Sequence, residues 1–112
     1  MIIESGILTA TNTDLMSAGR LNALPYNGQL TVQLLSDLAD ATNYWTLTIQ
    51  KPNGDVPIDG QLVPGSNPSL AGVLDSRQYL ELVFAATQGG HFTISLTEAG
   101  TAICAYRLIL SP

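Results

Sequence analysis

The stretch from His91 to Leu110 constrains the possible folds of this chain most strongly. Its first half alternates apolar with polar residues, the period-two pattern of a strand with one buried face. The apolar members are Phe92, Ile94 and Leu96. Residues 98–101 break the alternation, and Gly100 can adopt the positive φ that a short hairpin loop needs. We therefore predict two facing strands joined by a tight hairpin.

The return strand, residues 103–110, is apolar on both sides. Cys104, Tyr106, Leu108 and Leu110 share one face, and Ile103, Ala105, Arg107 and Ile109 share the other. A strand with two apolar faces is usually central in a sheet or covered by a second layer. We expect this strand to lie inside a sheet.

Other segments with strand periodicity are separated by turn signals. Strands are predicted at residues 2–9, 29–35, 44–50 and 78–86. Pro57 makes residues 55–63 an edge strand, and Pro25 makes residues 21–26 an edge strand or an extended arm. Asn53-Gly54 predicts a hairpin turn before residues 55–63. Residues 36–43 are predicted to form a loop, and residues 70–77 remain ambiguous between a helical turn and other structure.

This pattern predicts one domain, residues 1–112, of the all-β class. Six to eight short strands with turn signals at intervals of about ten residues indicate an antiparallel β-sandwich. We favour jelly-roll connections over immunoglobulin-like ones, because the latter would favour a pair of cysteines bracketing Trp45 and Cys104 is alone.

The chain is poor in charge. Charged residues make up 12% of it, where about 25% is usual. Hydroxyl and amide groups cost less to desolvate than ions do, which favours a protein that works in contact with other proteins. The net charge of -5 and four scattered basic residues argue against direct nucleic-acid binding. No apolar run approaches the ~18 residues of a membrane span, and the start lacks the basic region of a signal peptide.

Candidate catalytic and metal-binding groups are few. His91 is the only histidine, and Cys104 is predicted to be a buried structural thiol. The acidic pairs Asp37/Asp40 and Asp55/Asp59 lack the density of a calcium loop and are interpreted as solvated turn residues. We predict no enzymatic activity, no metal and no cofactor.

Two adjacent aromatic residues must point to opposite faces of their strand. Trp45 aligns with Leu47 and Ile49, so it is predicted to be core and Tyr44 to point outward. An outward Tyr44 would serve as an anchor at a protein interface or as a stacking platform for a sugar ring.

The N-terminal third offers a candidate contact element, because residues 5–13 and 21–36 contain no charged side chain. As a hypothesis, residues 1–27 form an arm or edge that packs on a neighbouring subunit. Its apolar anchors are Ile2, Ile3, Leu21, Leu24 and Tyr26, and its polar anchor is Arg20. The alternative is an ordinary pair of strands within the chain's own core.

Two segments carry a family resemblance: NYWTLTIQKPNGDVPIDGQLVPG and GGHFTISLTEAGTAICAYRLILSP, in a short chain rich in Thr, Gln and Asn. The chain resembles the capsid cement or head-decoration proteins of tailed bacteriophages. The resemblance implies a non-enzymatic β-sandwich or jelly-roll homotrimer on the capsid exterior that bridges neighbouring major capsid subunits. Its partners would be the major capsid protein and copies of itself.

Two other functions remain open. A carbohydrate-binding or host-recognition module would share the fold class and the uncharged polar surface. A small enzyme is the third possibility, and the scarcity of catalytic groups disfavours it.

Overall fold

The computed structural model describes residues 2–16, 23–37, 39–65 and 79–112, with the side chain of Ile3 excepted. These residues contain seven strands and no helix. The strands are β1 (Ile2–Leu8), β2 (Gly28–Ser36), β3 (Tyr44–Gln50), β4 (Ile58–Leu62), β5 (Leu80–Ala86), β6 (Thr93–Ala99) and β7 (Cys104–Ser111). Residues 17–22 and 66–78 lie outside the description, and so does the ambiguous segment at 70–77.

The strands form two antiparallel sheets that face each other. One has the order β1-β7-β2-β5 and the other the order β4-β3-β6. The β-sandwich predicted from the alternation is thereby confirmed. The positions of β7 inside a sheet and of β4 at an edge are confirmed as well. Gly54 has a φ of 94° in the turn that joins β3 to β4, so the hairpin signal was correct.

The antiparallel pairings are nested along the chain, which defines the topology. β3 pairs with β4, β2 pairs with β5, and β1 pairs with β7. Between the last two, Asn12 makes an isolated antiparallel bridge to Leu96 of β6. This is one long hairpin wound into two sheets, the arrangement of a jelly roll. Among the described residues, the bridge at Asn12 stands in the place of the strand that a jelly roll has between β1 and β2.

The predicted hairpin between the last two strands is wrong. β6 pairs with β3 in the three-stranded sheet, whereas β7 pairs with β1 and β2 in the other sheet. Gly100 does adopt a positive φ of 77°, but the turn carries the chain across the sandwich. The two strands face each other across the core, each with an apolar face directed inward, and are not joined by hydrogen bonds.

The core lies between the sheets. Its largest fully buried side chains include Trp45, Phe92, Leu47 and Leu108. Connecting residues close it: Leu15, Met16 and Leu24 are at most 5% exposed. The backbone of Leu24 hydrogen-bonds to Gly89 and Gly90, and residues 23–26 form neither a strand nor an exposed arm.

Candidate protein-contact face

The candidate site is the surface of the four-stranded sheet that points away from the core, here called the outer face. β2 places Leu30, Val32 and Leu34 in the core. Because side chains alternate along a strand, Thr31, Gln33 and Leu35 point to the outer face. The pairing register then assigns Ser5, Ile7, Glu81, Val83, Ala105, Arg107 and Ile109 to the same face.

A polar ladder crosses the middle of the outer face. Arg107 Nε donates a hydrogen bond of 2.8 Å to Gln33 Oε1, and Gln33 Nε2 donates one of 2.8 Å to Glu81 Oε1. The amide therefore links two opposite charges on the strands that flank β2, Arg107 on β7 and Glu81 on β5. Gln33 is only 6% exposed, and its amide is satisfied from both ends. The ladder places one positive and one negative side chain on the outer face, and their charges sum to zero.

Apolar side chains flank this ladder on both sides. One row across the strands consists of Ile2, Ile109, Thr31 and Val83. Another consists of Ile7, Ala105 and Leu35. Ile2, Ile7 and Val83 are 55%, 54% and 52% exposed, and Leu62 at the edge of the other sheet is 52% exposed. Three such side chains on one sheet face are more informative than a single exposed one. Leu35 and Ala105 are instead buried, with Tyr79 and Ile103 packed against them.

The charge of β1 lies on the opposite side of that strand. Glu4 pairs with Leu108, whose side chain belongs to the core face. Burial, with a smaller contribution from the nearby Glu4 carboxylate, raises the pKa of Tyr106 above its ordinary value. The exposed part of β1 on the outer face is consequently free of charge.

The second sheet presents a different outward surface. Apart from Ala99, its side chains on β3 and β6 carry hydroxyl, amide or phenol groups and no charge: Tyr44, Thr46, Thr48, Gln50, Thr93, Ser95 and Thr97. Tyr44 points outward and is half-buried, and Trp45 is fully buried, as predicted. Tyr44 is the one aromatic residue among those seven, so this surface does not gather the several aromatics that sugar sites favour.

The structure distributes the predicted interface residues over different environments. Ile2 lies on the outer face, and Tyr44 lies on the opposite sheet. Arg20, Leu21 and the side chain of Ile3 are outside the described residues.

Two of the predicted anchors belong to the interior of the chain. Leu24 is 1% exposed in the chain's own core, so it offers no surface to a neighbour. Tyr26 packs against the same core, and its hydroxyl donates to the carbonyl oxygen of Leu110. For these residues the alternative of an ordinary intramolecular role describes the structure.

The potentially reactive side chains are either buried or engaged in hydrogen bonds within the chain. His91 Nε2 lies 2.8 Å from Asp14 Oδ2, with each side chain somewhat over a quarter exposed. Cys104 is buried, and burial, assisted by Asp37, raises its pKa to about 12. Asp37 accepts a hydrogen bond from the Ile103 N–H, and Asp40 accepts from Thr42 and Asn43.

These groups do not converge on a common centre. Within the described ranges, no three His, Cys, Asp or Glu side chains are grouped to hold a metal ion. A shallow depression of about 210 Å³ lies at one end of the sandwich. Its lining comprises Lys51, Pro52, Asn53, Ala85, Thr87 and Phe92, among which Lys51 is the single ionisable group.

Comparisons with known proteins identify no relative of this chain. Neither a family model, nor a curated protein, nor a solved structure matches the chain. No helix in the described residues is long and apolar enough to cross a membrane.

Sequence reasoning missed most of the outer face. Ile7 and Val83 were assigned to strands, but their exposure depends on which face the sheet turns inward. Gln33, Glu81 and Arg107 are 26 or more positions apart in sequence, and only the register of β2 with β5 and β7 brings them together. The alternation in each strand shows which of its side chains share a face, but it does not specify which strands lie next to each other.

Proposed function

We propose that this chain is a non-enzymatic structural protein that binds the exterior of a phage capsid and cements neighbouring major capsid subunits. The observation that carries the proposal is the outer face, a sheet surface with three aliphatic side chains more than half exposed around a neutral polar ladder. The resemblance of the sequence to capsid cement proteins supplies the particular partner.

The chemistry of the outer face favours contact with protein. Exposed aliphatic groups gain free energy when a partner removes them from water, at about 25 cal/mol per Å². The charges of Arg107 and Glu81 are already paired through Gln33, so a partner need not compensate an isolated ion. A surface of this kind is suited to packing without strong charge on the partner.

Cementing would depend on repetition. A capsid presents many equivalent sites, and a self-associated decoration protein binds several of them at once. The second contact then forms at a high effective concentration, so modest individual contacts add up to stable attachment. The resemblance implies three copies in each assembly, whereas the β1 contact proposed below makes two, and the mass measurement given there decides between them.

The test uses expanded capsids assembled from the major capsid protein of the same genome. The full chain should co-sediment with these capsids at a fixed stoichiometry, and cryo-electron microscopy should place it on their outer surface. Bound chain should also raise the temperature at which the capsids lose integrity. A genome without a major capsid protein, or capsids that bind none of the chain, would refute the proposal.

Two matched variants locate the contact. Val83→Lys places a charge at an exposed position of the outer face, whereas Thr97→Lys does so on the other sheet. We expect the first to weaken capsid binding by about tenfold or more, since a buried unpaired ammonium is costly, and the second to leave binding unchanged. The reverse result would place the contact on the three-stranded sheet.

A further inference from the structure

β1 is an edge strand that has one hydrogen-bonded neighbour. It stands at the end of the order β1-β7-β2-β5 and pairs only with β7 within the described residues. None of the described strands covers its other side, where backbone N–H and C=O groups form a template for a further strand. Ile2 and Ile7, beside that edge, are each more than half exposed.

The edges of the other sheet are blunted. The edge of β6 is covered at Leu96, whose backbone exchanges hydrogen bonds of 2.8 and 2.9 Å with Asn12. β4 has five residues, a glycine at positive φ, Gly60, and a register shift against β3. Short length, irregularity and coverage are the usual protections of natural edges. β1 has seven residues and a single irregularity, located between Ile2 and Glu4. β5, the other edge of the same sheet, is equally long and regular, so the test below compares substitutions on these two edges.

The outward side chains of β1 are arranged symmetrically about Ser5. The register pairs Ile2, Ser5 and Ile7 with Ile109, Arg107 and Ala105, which are evenly spaced on β7. The irregularity at residues 2–4 thus puts Ile2 and Ile7 at equal distances on either side of Ser5. Glu4 and Gly6 flank Ser5 on the inward side in the same way.

We propose that β1 pairs antiparallel with β1 of a second copy about a two-fold axis through Ser5. Four strands from each copy would then form one continuous eight-stranded sheet. Each Ile7 lies opposite the second copy's Ile2 on the outer face. Each Glu4 lies opposite a glycine, so the two carboxylates are not directly paired.

This symmetry supports self-pairing, because an isologous contact requires a surface that is complementary to itself. A directly opposed pair of like charges would destabilise a strand pair, and the axis at Ser5 avoids one. The opposing isoleucines bury apolar area at both ends of the contact. The inference does not rest on capsid binding.

The first test measures the mass of the full chain by sedimentation equilibrium from low micromolar to millimolar concentration. We expect the mass to rise from 11.9 kDa toward twice that value. Ile7→Lys should raise the dimer dissociation constant by at least tenfold, whereas Val83→Lys should leave it within twofold. Val83 is the matched control, since it is equally exposed and lies on the opposite edge strand of the same sheet.

The second test uses cross-linking at the axis. Directly opposed residues in an antiparallel pair have Cα atoms about 4.5–5.5 Å apart, within the range for a disulfide. Ser5→Cys should form a disulfide-linked dimer under mild oxidation, and Val83→Cys should not. The native Cys104 is buried and does not compete.

Circular dichroism establishes that each variant retains its β structure. A chain that stays monomeric at all concentrations would overturn the proposal, as would a mass of three copies. Equal weakening by Ile7→Lys and Val83→Lys, or equal cross-linking of the two cysteine variants, would also overturn it. A dimer that fails to bind capsids would refute the capsid proposal and leave this one intact.

Discussion

At the scale of single residues, Gly100 is restricted by both conformation and packing. Its φ of 77° lies in the left-handed region, and an added Cβ would collide with Asn43 Oδ1 and the carbonyl oxygen of Thr42. Asn43 Oδ1 also accepts the N–H of Thr101 at 2.9 Å. The turn that directs the chain from one sheet to the other therefore depends on a glycine.

Gly100→Ala should destabilise the fold by about 2 kcal/mol or more, because the cost of positive φ for alanine adds to the collision. Gly54→Ala is the matched control, since Gly54 has a φ of 94° but nothing within 4 Å of an added Cβ. It should cost about 1 kcal/mol. Urea denaturation followed by circular dichroism measures both values, and equal losses would show that packing at Gly100 does not matter.

Cys104 makes stability depend on alkaline pH. Its pKa is raised from 9.0 to about 12 in the folded chain, mainly by burial. The free energy of unfolding therefore keeps its full value below pH 9 and falls as pH rises toward 12, because the unfolded chain releases the thiol proton at lower pH than the folded chain does. We expect a loss of about 1.4 kcal/mol per pH unit in that window.

Denaturant titrations at pH 8, 9 and 10 measure this slope. Cys104→Ala should be less stable at pH 8, and it should lose much less stability between pH 9 and 10 than the native chain does. The raised pKa of Tyr106 adds a further loss that sets in near the ordinary tyrosine value of 10.0 and is common to both chains. A thiol reagent should label the native chain much more slowly than the unfolded chain. Rapid labelling under native conditions would contradict the burial.

At the scale of elements, Trp45 connects β3 to the segment between β6 and β7. Its indole N–H donates a hydrogen bond of 2.9 Å to the carbonyl oxygen of Ala102, and both residues are buried. Ala102 lies where the chain crosses from one sheet to the other. The bond stabilises the crossing that replaces the predicted hairpin.

Trp45→Phe should therefore destabilise the fold by about 2 kcal/mol, since the Ala102 carbonyl loses its donor and a cavity opens. Tyr44→Phe on the same strand, half-buried and outward, should cost less than about 0.5 kcal/mol. The urea midpoint, followed by circular dichroism with an unchanged slope, measures the difference. Similar midpoints for the two variants would show that this bond contributes little.

β1 also has an intramolecular role, which affects how the contact should be tested. Five residues from Glu4 to Leu8 pair in unbroken register with β7. Deleting residues 1–6 would strip most of this pairing and uncover one side of β7. Point substitutions at Ser5 and Ile7 are therefore more informative than a truncation.

At the scale of the whole molecule, the charge distribution opposes self-association. The chain carries a net charge of -5, so two copies repel each other at long range. The contact at β1 has no opposite charges to compensate this repulsion. Salt should strengthen the dimer, in contrast to contacts formed by complementary charges.

Raising NaCl from 20 to 200 mM should lower the dimer dissociation constant by about threefold, because the Debye length falls to well below the size of the chain. Sedimentation equilibrium at both salt concentrations measures this effect. A dimer weakened by salt would indicate an ion-paired interface located elsewhere on the molecule.

The sequence by itself determined the strands and the fold class. Alternation of apolar and polar residues is a local property, so β2, β3 and β6 and their inward faces were predictable from short windows. β7 was predictable as a strand, but its two apolar faces did not show which one points inward. The outward direction of Tyr44 and the burial of Trp45 followed from the same local period, whereas the burial of Cys104 followed from the general tendency of unpaired cysteines to be buried.

Only the tertiary structure decided which strands hydrogen-bond to each other and which side chains meet on the outer face. Two strands with inward apolar faces give the same sequence pattern whether they pair side by side or face each other across a core. β6 and β7 take the second arrangement. Leu24 lies in a connecting segment, and its side chain is buried because it packs against the core at one end of the sandwich. The ladder of Arg107, Gln33 and Glu81 depends on long-range register, which no local pattern encodes.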